Sequence, residues 1–114
     1  MILHTSEAGG AVVVAPAGEI DLQHSPRLRK LLMELMLDGR AVVVDMSQVE
    51  YIDSSGIASL VEAYQMARRG GGRFTLASVS APALRVLHLA RLDKVFAIAD
   101  SVEAAVGSGS GAGP

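Results

Sequence analysis

The length, composition and charge of the chain limit what it can do. Its 114 residues, 50% of them hydrophobic, suffice for one compact domain with a real core. The net charge of −2 and the 4% aromatic content argue against nucleic-acid binding, which needs a basic face and aromatic rings for stacking. The absence of cysteine excludes disulfides, thiolate metal sites and cysteine nucleophiles.

The sequence shows no sign of membrane insertion or export. No apolar run approaches the roughly 20 residues that span a bilayer, and the first residues lack the basic start and long apolar core of a secretory signal. We therefore expect a soluble cytoplasmic protein without membrane contact. The lack of cysteine is compatible with that reducing compartment.

The predicted elements alternate between strands and helices. In chain order they are strands 2–6 and 11–16, helix 25–37, strand 41–44, helix 54–69, strand 73–79, helix 81–91, strand 95–99 and a short helix 100–106. This alternation predicts an α/β fold, with a mixed β-sheet of about four to five strands and helices packed on it. Residues 107–114 are rich in Gly and Ser and cannot bury apolar surface, so we expect a domain over residues 1–106 followed by a disordered tail.

Turn and capping residues mark several of these boundaries. Gly9-Gly10 predicts a hairpin turn between the first two strands. Ser25 is a candidate N-cap, with Pro26 at the first helical position. Asp100 and Glu103 have the spacing of a capping box, which predicts the start of the terminal helix.

A carboxylate and two hydroxyl side chains stand together in the segment that leads from the buried strand 41–44 to helix 54–69. Asp53, Ser54 and Ser55 stand at the start of that helix, and Gly70-Gly71-Gly72 ends it. A helix start offers free backbone N–H groups and the positive end of the helix dipole. A Ser there is therefore either a cap or a place where an added phosphate is tolerated, and from spacing alone a cap formed by Asp53 or Ser54 is the favoured interpretation.

Two other polar groups have ordinary structural interpretations. The segment Gly18–Asp21 predicts a turn in which the glycine bends the chain and Asp21 caps a local amide. Asp45 is predicted to end the central strand as a hydrogen-bonding group rather than as a ligand.

The sequence gives little support for catalysis. His4, His24 and His88 are widely separated, and no Gly-x-Ser-x-Gly elbow surrounds Ser54. We expect His24 to be a solvated loop residue and His88 a partly packed helix residue. The acidic residues lack metal-ligand spacing, and the glycine run follows a helix, the reverse of a phosphate-binding loop. We therefore expect no enzyme activity, no metal and no cofactor.

Four motifs carry a resemblance to a known family. They are Gly18-Glu19-Ile20-Asp21, Val42-Val43-Val44-Asp45-Met46, Tyr51-Ile52-Asp53-Ser54-Ser55-Gly56-Ile57 and Gly71-Gly72-Arg73-Phe74. In this order and spacing, over residues 1–106, the chain resembles a STAS domain of the anti-sigma factor antagonist type.

The resemblance implies a bacterial switch protein with a phosphorylatable serine. Its partner would be an anti-sigma factor that is also a serine kinase, and a serine phosphatase would act on the phosphorylated form. The phosphate acceptor of the family corresponds to Ser54. The implied partner surface contains Gly18, Glu19, Asp21, Asp53, Ser54, Ser55, Gly56, Ile57 and Ser59.

Within that surface we expect Gly56, which lacks a side chain, to let the partner approach the helix start closely. We expect Ser59 to lie on the exposed side of the helix. The resemblance also allows a different binding module: a STAS subunit of a lipid-transport ATPase, or a stressosome-type scaffold, neither of which needs a phosphorylation switch.

Overall fold

The computed structural model describes the backbone of residues 1–111 and the side chains of residues 1–107. Its strands are β1 (Ile2–Ala8), β2 (Ala11–Ile20), β3 (Ala41–Asp45), β4 (Val49–Ile52), β5 (Phe74–Ala77) and β6 (Ala97–Ala99). Its helices are α1 (Ser25–Leu37), α2 (Ser54–Gly70), α3 (Ala81–Leu89) and α4 (Val102–Gly111). The α/β class predicted from the alternation of elements is confirmed.

The sheet is mixed, with the order β1-β2-β3-β5-β6. β1 runs antiparallel to β2 through the Gly9-Gly10 hairpin, and the other pairs are parallel. Both hairpin glycines have positive φ, 57° and 84°, as a two-residue turn of this kind requires. The remaining strand of the described residues, β4, lies outside this order and pairs in parallel with the end of β2.

The sequence did not predict β4 or the full length of β2. Residues 18–20, interpreted as a turn, are the last residues of β2 and pair with β4 after a register shift between Gly18 and Glu19. Gly18 has φ of 96°, a conformation that a residue with a Cβ adopts only at a cost. β2 pairs with β3 as far as Val14 and with β4 from Gly18 onward, so the bulge after Gly18 lies within the pairing with β4.

Two apolar clusters lie on opposite faces of the sheet. The larger one packs α1, α2 and α3 on one face and contains the fully buried Leu28, Leu32, Leu60, Leu76 and Leu87. The smaller one packs α4 against the other face, through small side chains such as Ala77 and Ala105. The central strand β3 is therefore covered on both sides, as its continuous apolar sequence predicts.

Some predicted helix boundaries are wrong in detail. The N-cap of α1 is His24 rather than Ser25, and its side chain makes no capping hydrogen bond. At the start of α4, the Ser101 hydroxyl accepts a hydrogen bond from the Ala104 N–H, the role expected of Asp100. α3 ends at Leu89, and Arg91, with φ of 60°, follows it in the left-handed region.

The terminal helix α4 continues to Gly111, five residues past the predicted end at Val106. The predicted disordered tail covers residues 107–114, and residues 112–114 lie outside the described part of the chain. The disorder of that tail stays a prediction. No helix among the described residues combines the length and the apolarity needed to cross a membrane.

Candidate functional site

The Asp53 carboxylate joins two segments of the chain. It stands between β4 and α2 as the N-cap, with extended backbone angles. Its Oδ1 atom accepts hydrogen bonds from the Ser55 N–H at 2.9 Å, the Ser55 hydroxyl at 2.6 Å and the Gly56 N–H at 3.2 Å. Its Oδ2 atom accepts one from the Leu22 N–H at 3.2 Å. One side chain thus caps α2 and holds the loop between β2 and α1.

These bonds stabilise the charged form of Asp53. The Ser55 hydroxyl lowers the pKa of the carboxyl most, desolvation by partial burial opposes it, and the N–H groups of Gly56, Ser55 and Leu22 lower it further. The net effect is a pKa below the ordinary value of 3.8. The site therefore carries a fixed negative charge at neutral pH next to Ser54.

The two neighbouring hydroxyls differ in availability. Ser54 is exposed as the first residue of α2, and its hydroxyl makes no hydrogen bond to the described residues. Ser55 is half-buried, and its hydroxyl proton is directed at Asp53. A partner that modifies a serine at this helix start therefore finds Ser54 unobstructed and Ser55 already engaged.

Gly56 is needed for the packing of the protein itself, and the prediction that it also lets a partner approach stays a prediction. A Cβ at this position would lie 2.7 Å from a side-chain carbon of Ile20 and 2.7 Å from one of Ile52. It would also lie 2.8 Å from the Ile20 carbonyl oxygen. The absence of a side chain lets α2 pack closely against the paired ends of β2 and β4.

Two other predicted surface residues are buried. Ser59 is 3% exposed, and its hydroxyl donates to the carbonyl of Ser55 at 3.1 Å and that of Ser25 at 3.5 Å. Ile57 belongs to the larger core cluster. The expectation that Ser59 lies on the exposed side of the helix is wrong, because this side of α2 faces α1 and the sheet. A partner contact at Ile57 stays a prediction.

The first loop does lie beside the helix start. The Asp53 N–H donates to the Ile20 carbonyl at 3.2 Å, and Glu19 is exposed next to Tyr51 in the strand register. Asp21 is half-buried, and its carboxylate accepts from the His24 N–H at 3.1 Å, the capping role predicted for it.

Gly18 lies farther along β2, where its N–H donates to the Gln48 carbonyl at 2.9 Å. The structure therefore brings together Glu19, Asp21, Asp53 and Ser54, with Gly18 at the margin.

Both histidines that the sequence singled out differ from expectation. His24 is half-buried, and its Nδ1 atom lies 2.7 Å from Asp21 Oδ1, so it is not merely a solvated loop residue. His88 has 75% of its side chain exposed and lies beside Asp93, so it is not packed. In the described part of the chain neither ring hydrogen-bonds to Ser54, and no three acidic or His residues are grouped as metal ligands.

Asp45 ends β3 as the sequence predicts. Its carboxylate accepts a hydrogen bond from the Ser47 N–H at 3.0 Å. That bond shapes the turn between β3 and β4.

Sequence reasoning missed two residues of the site. Leu22 and Tyr51 are large apolar side chains that are 75% and 49% exposed. The signal for Tyr51 was present in the segment 49–52, where buried Val49 and Ile52 enclose exposed Glu50 and Tyr51. Recognising it required the knowledge that these residues form a strand.

Comparison with known proteins identifies the family. The STAS domain model matches residues 3–105, and the chain belongs to that family. The anti-sigma-B factor antagonist of Bacillus subtilis is 30% identical over 90 residues, which cover 79% of this chain and 83% of the relative.

Two solved structures have the same fold. An anti-sigma factor antagonist from Mycobacterium paratuberculosis has a TM-score of 0.84 at 28% identity, over 94% of this chain and 92% of the other. A protein from Thermotoga maritima, described as a putative anti-sigma factor antagonist, has a TM-score of 0.84 at 24% identity, over 93% of this chain and 92% of the other.

Proposed function

We propose that this chain is a cytoplasmic anti-sigma factor antagonist that binds an anti-sigma factor serine kinase, frees the sigma factor, and is switched off when the kinase phosphorylates Ser54. A serine phosphatase would restore the active form. The relatives' names support the first part of the proposal. The observation that carries the second part is the exposed, unengaged hydroxyl of Ser54 beside a hydroxyl that Asp53 already holds.

The charge at the site explains how phosphate on Ser54 would act. A phosphoserine adds about −1.5 to −2 charges at pH 7, next to the ionised carboxylate of Asp53. Two N–H groups of the first turn of α2, those of Ser55 and Gly56, already bind that carboxylate. They are therefore not free to bind the phosphate as well, and water must solvate much of the new charge.

Solvation by water is possible in the free protein but not against a partner. An unpaired charge buried in an interface costs roughly 3–5 kcal/mol, and each 1.4 kcal/mol is about a factor of ten in affinity. We therefore expect phosphorylation to weaken the complex by about two to four powers of ten without refolding of the domain.

Phosphate transfer tests the assignment of Ser54. The purified chain is incubated with the anti-sigma factor kinases of its own genome and Mg-ATP, and the modified residue is located by mass spectrometry. Ser54→Ala should abolish incorporation. Ser47→Ala, a matched change at another exposed serine, should leave incorporation intact. Phosphate found mainly on Ser47 or Ser55 would contradict the assignment.

Stoichiometry tests the proposed mode of action. The chain is added in increasing amounts to a mixture of anti-sigma factor, sigma factor and RNA polymerase. Transcription should rise in proportion to the chain added and reach its maximum when the chain and the anti-sigma factor are equimolar. Restoration by a small catalytic amount would contradict a binding protein. Constitutive assembly with a permease and its ATPase, with no phosphate incorporated, would favour the transport-subunit alternative instead.

A further inference from the structure

Two residues with exposed apolar side chains lie near Ser54. Leu22 is 75% exposed, yet its N–H lies 3.2 Å from the carboxylate of Asp53, the residue before Ser54. Tyr51 is 49% exposed at the end of β4. Tyr51 is three residues before Ser54, so the Cα atoms of the two residues are at most about 11 Å apart.

Both side chains are held on fixed backbone. The Leu22 N–H is bound by Asp53, and the preceding Ile20 is fully buried and pairs with Ile52. Tyr51 is itself part of the strand pairing, opposite Glu19 and next to the paired Ile52. An anchor whose backbone is already ordered loses less conformational entropy on binding than one in a mobile loop.

The neighbours of these side chains indicate what they bind. Glu19, beside Tyr51 in the strand register, and Glu50 are both exposed, and Asp21 and Asp53 add further carboxylates. An aromatic or aliphatic anchor within a polar rim is a typical centre of a binding interface, and tyrosine is among the residues enriched at hot spots. The complementary surface is an apolar pocket with cationic side chains at its edge.

We propose that Leu22 and Tyr51 are the apolar anchors by which this chain docks on the anti-sigma factor kinase. The inference rests on the proposed function, because it names the contact through which the same site recognises its partner. It also gives a reason for the large effect expected of the phosphate, since Ser54 would lie close to both anchors in an interface from which water is excluded.

Alanine substitution of each anchor tests the proposal. Binding of the unphosphorylated chain to the kinase of its own genome is measured by calorimetry. Leu22→Ala and Tyr51→Ala should each weaken binding by about 30-fold or more, the hot-spot threshold. Tyr51→Phe should bind nearly as well as the wild type, because it keeps the ring. Each variant should melt within a few degrees of the wild type, as exposed substitutions usually do.

Leu89→Ala is the matched control. Leu89 is 77% exposed and is the last residue of α3. In the sequence, this helix connects the parallel strands β5 and β6. Leu89 therefore lies at the edge of the sheet where these strands begin, opposite the edge at which β4 leads into Ser54. Leu89→Ala should leave the affinity for the kinase unchanged.

The outcomes separate the two proposals. If the wild type binds and is phosphorylated while Leu22→Ala and Tyr51→Ala bind within twofold of it, the anchors are refuted and the proposed function stands. The anchors would also be refuted if Leu89→Ala weakened binding to the kinase as much as Leu22→Ala and Tyr51→Ala do. If the wild type neither binds nor is phosphorylated by any such kinase, the proposed function fails and the anchors with it.

Discussion

Replacement of Gly56 by alanine should destabilise the domain even in the absence of any partner. The added methyl group would meet Ile20 and Ile52 at 2.7 Å and the Ile20 carbonyl oxygen at 2.8 Å. Side chains could rotate away, but the oxygen belongs to backbone that accepts a hydrogen bond from the Asp53 N–H. Helix α2 must therefore move away from the paired ends of β2 and β4, or that pairing must distort.

The size of the effect follows from two opposing contributions. Overpacking a close contact costs about 1–3 kcal/mol, and alanine gains up to about 1 kcal/mol over glycine in a helix. At mid-range these give a net loss of about 1 kcal/mol in the free energy of unfolding. For a domain of this size the melting temperature should fall by about 4–8 °C.

Thermal and urea unfolding followed by circular dichroism measure the change. The matched control is Gly70→Ala, the same substitution at the other end of α2, where a Cβ would meet nothing within 4 Å. That variant should be as stable as the wild type or slightly more stable. If Gly56→Ala melts at or above the wild-type temperature, the close packing does not determine the residue. The approach of a partner would then be the remaining predicted reason for a glycine at this position.

Four further substitutions test the cap of α2 and the core. Asp53→Asn should make the free energy of unfolding depend less on pH in the acid range. The lowered pKa of Asp53 means that its ionised carboxylate stabilises the fold above about pH 4, and this stabilisation is lost as the pH falls through the folded-state pKa. Urea midpoints measured against pH test this, and equal slopes for the variant and the wild type would refute it. Ser55→Ala should raise the pKa of Asp53 towards 3.8 in an NMR titration, since the Ser55 hydroxyl lowers it most; an unmoved pKa would contradict that cause. Leu60→Ala, at a fully buried position, should cost about 2–5 kcal/mol of unfolding free energy. Leu37→Ala, at a position 76% exposed, should change it by less than about 0.5 kcal/mol, and equal effects would refute the burial assigned to Leu60.

Local signals in the sequence predicted most of the elements correctly. The C-cap of α2 at Gly71, with φ of 72°, and the Gly9-Gly10 hairpin follow from the backbone freedom of glycine. Asp53 was one of two predicted caps, and the structure selects it. In each case the deciding interaction lies within a few residues of the chain.

What the sequence could not determine depends on contacts between distant residues. The strand β4 is only four residues long and forms by pairing with Gly18, Glu19 and Ile20, 31 to 32 positions earlier in the chain. Ser59 is a polar residue whose burial is set by α1, 34 positions away in the chain.

The composition of the site shows the same division. The sequence determined that an acid and two hydroxyls stand at a helix start, because that is a matter of neighbouring residues. Only the tertiary structure decided that Asp53 reaches Leu22, 31 positions away, and that Leu22 and Tyr51 are exposed nearby. The physical reason is that strand pairing and helix packing decide which side of each local element faces water.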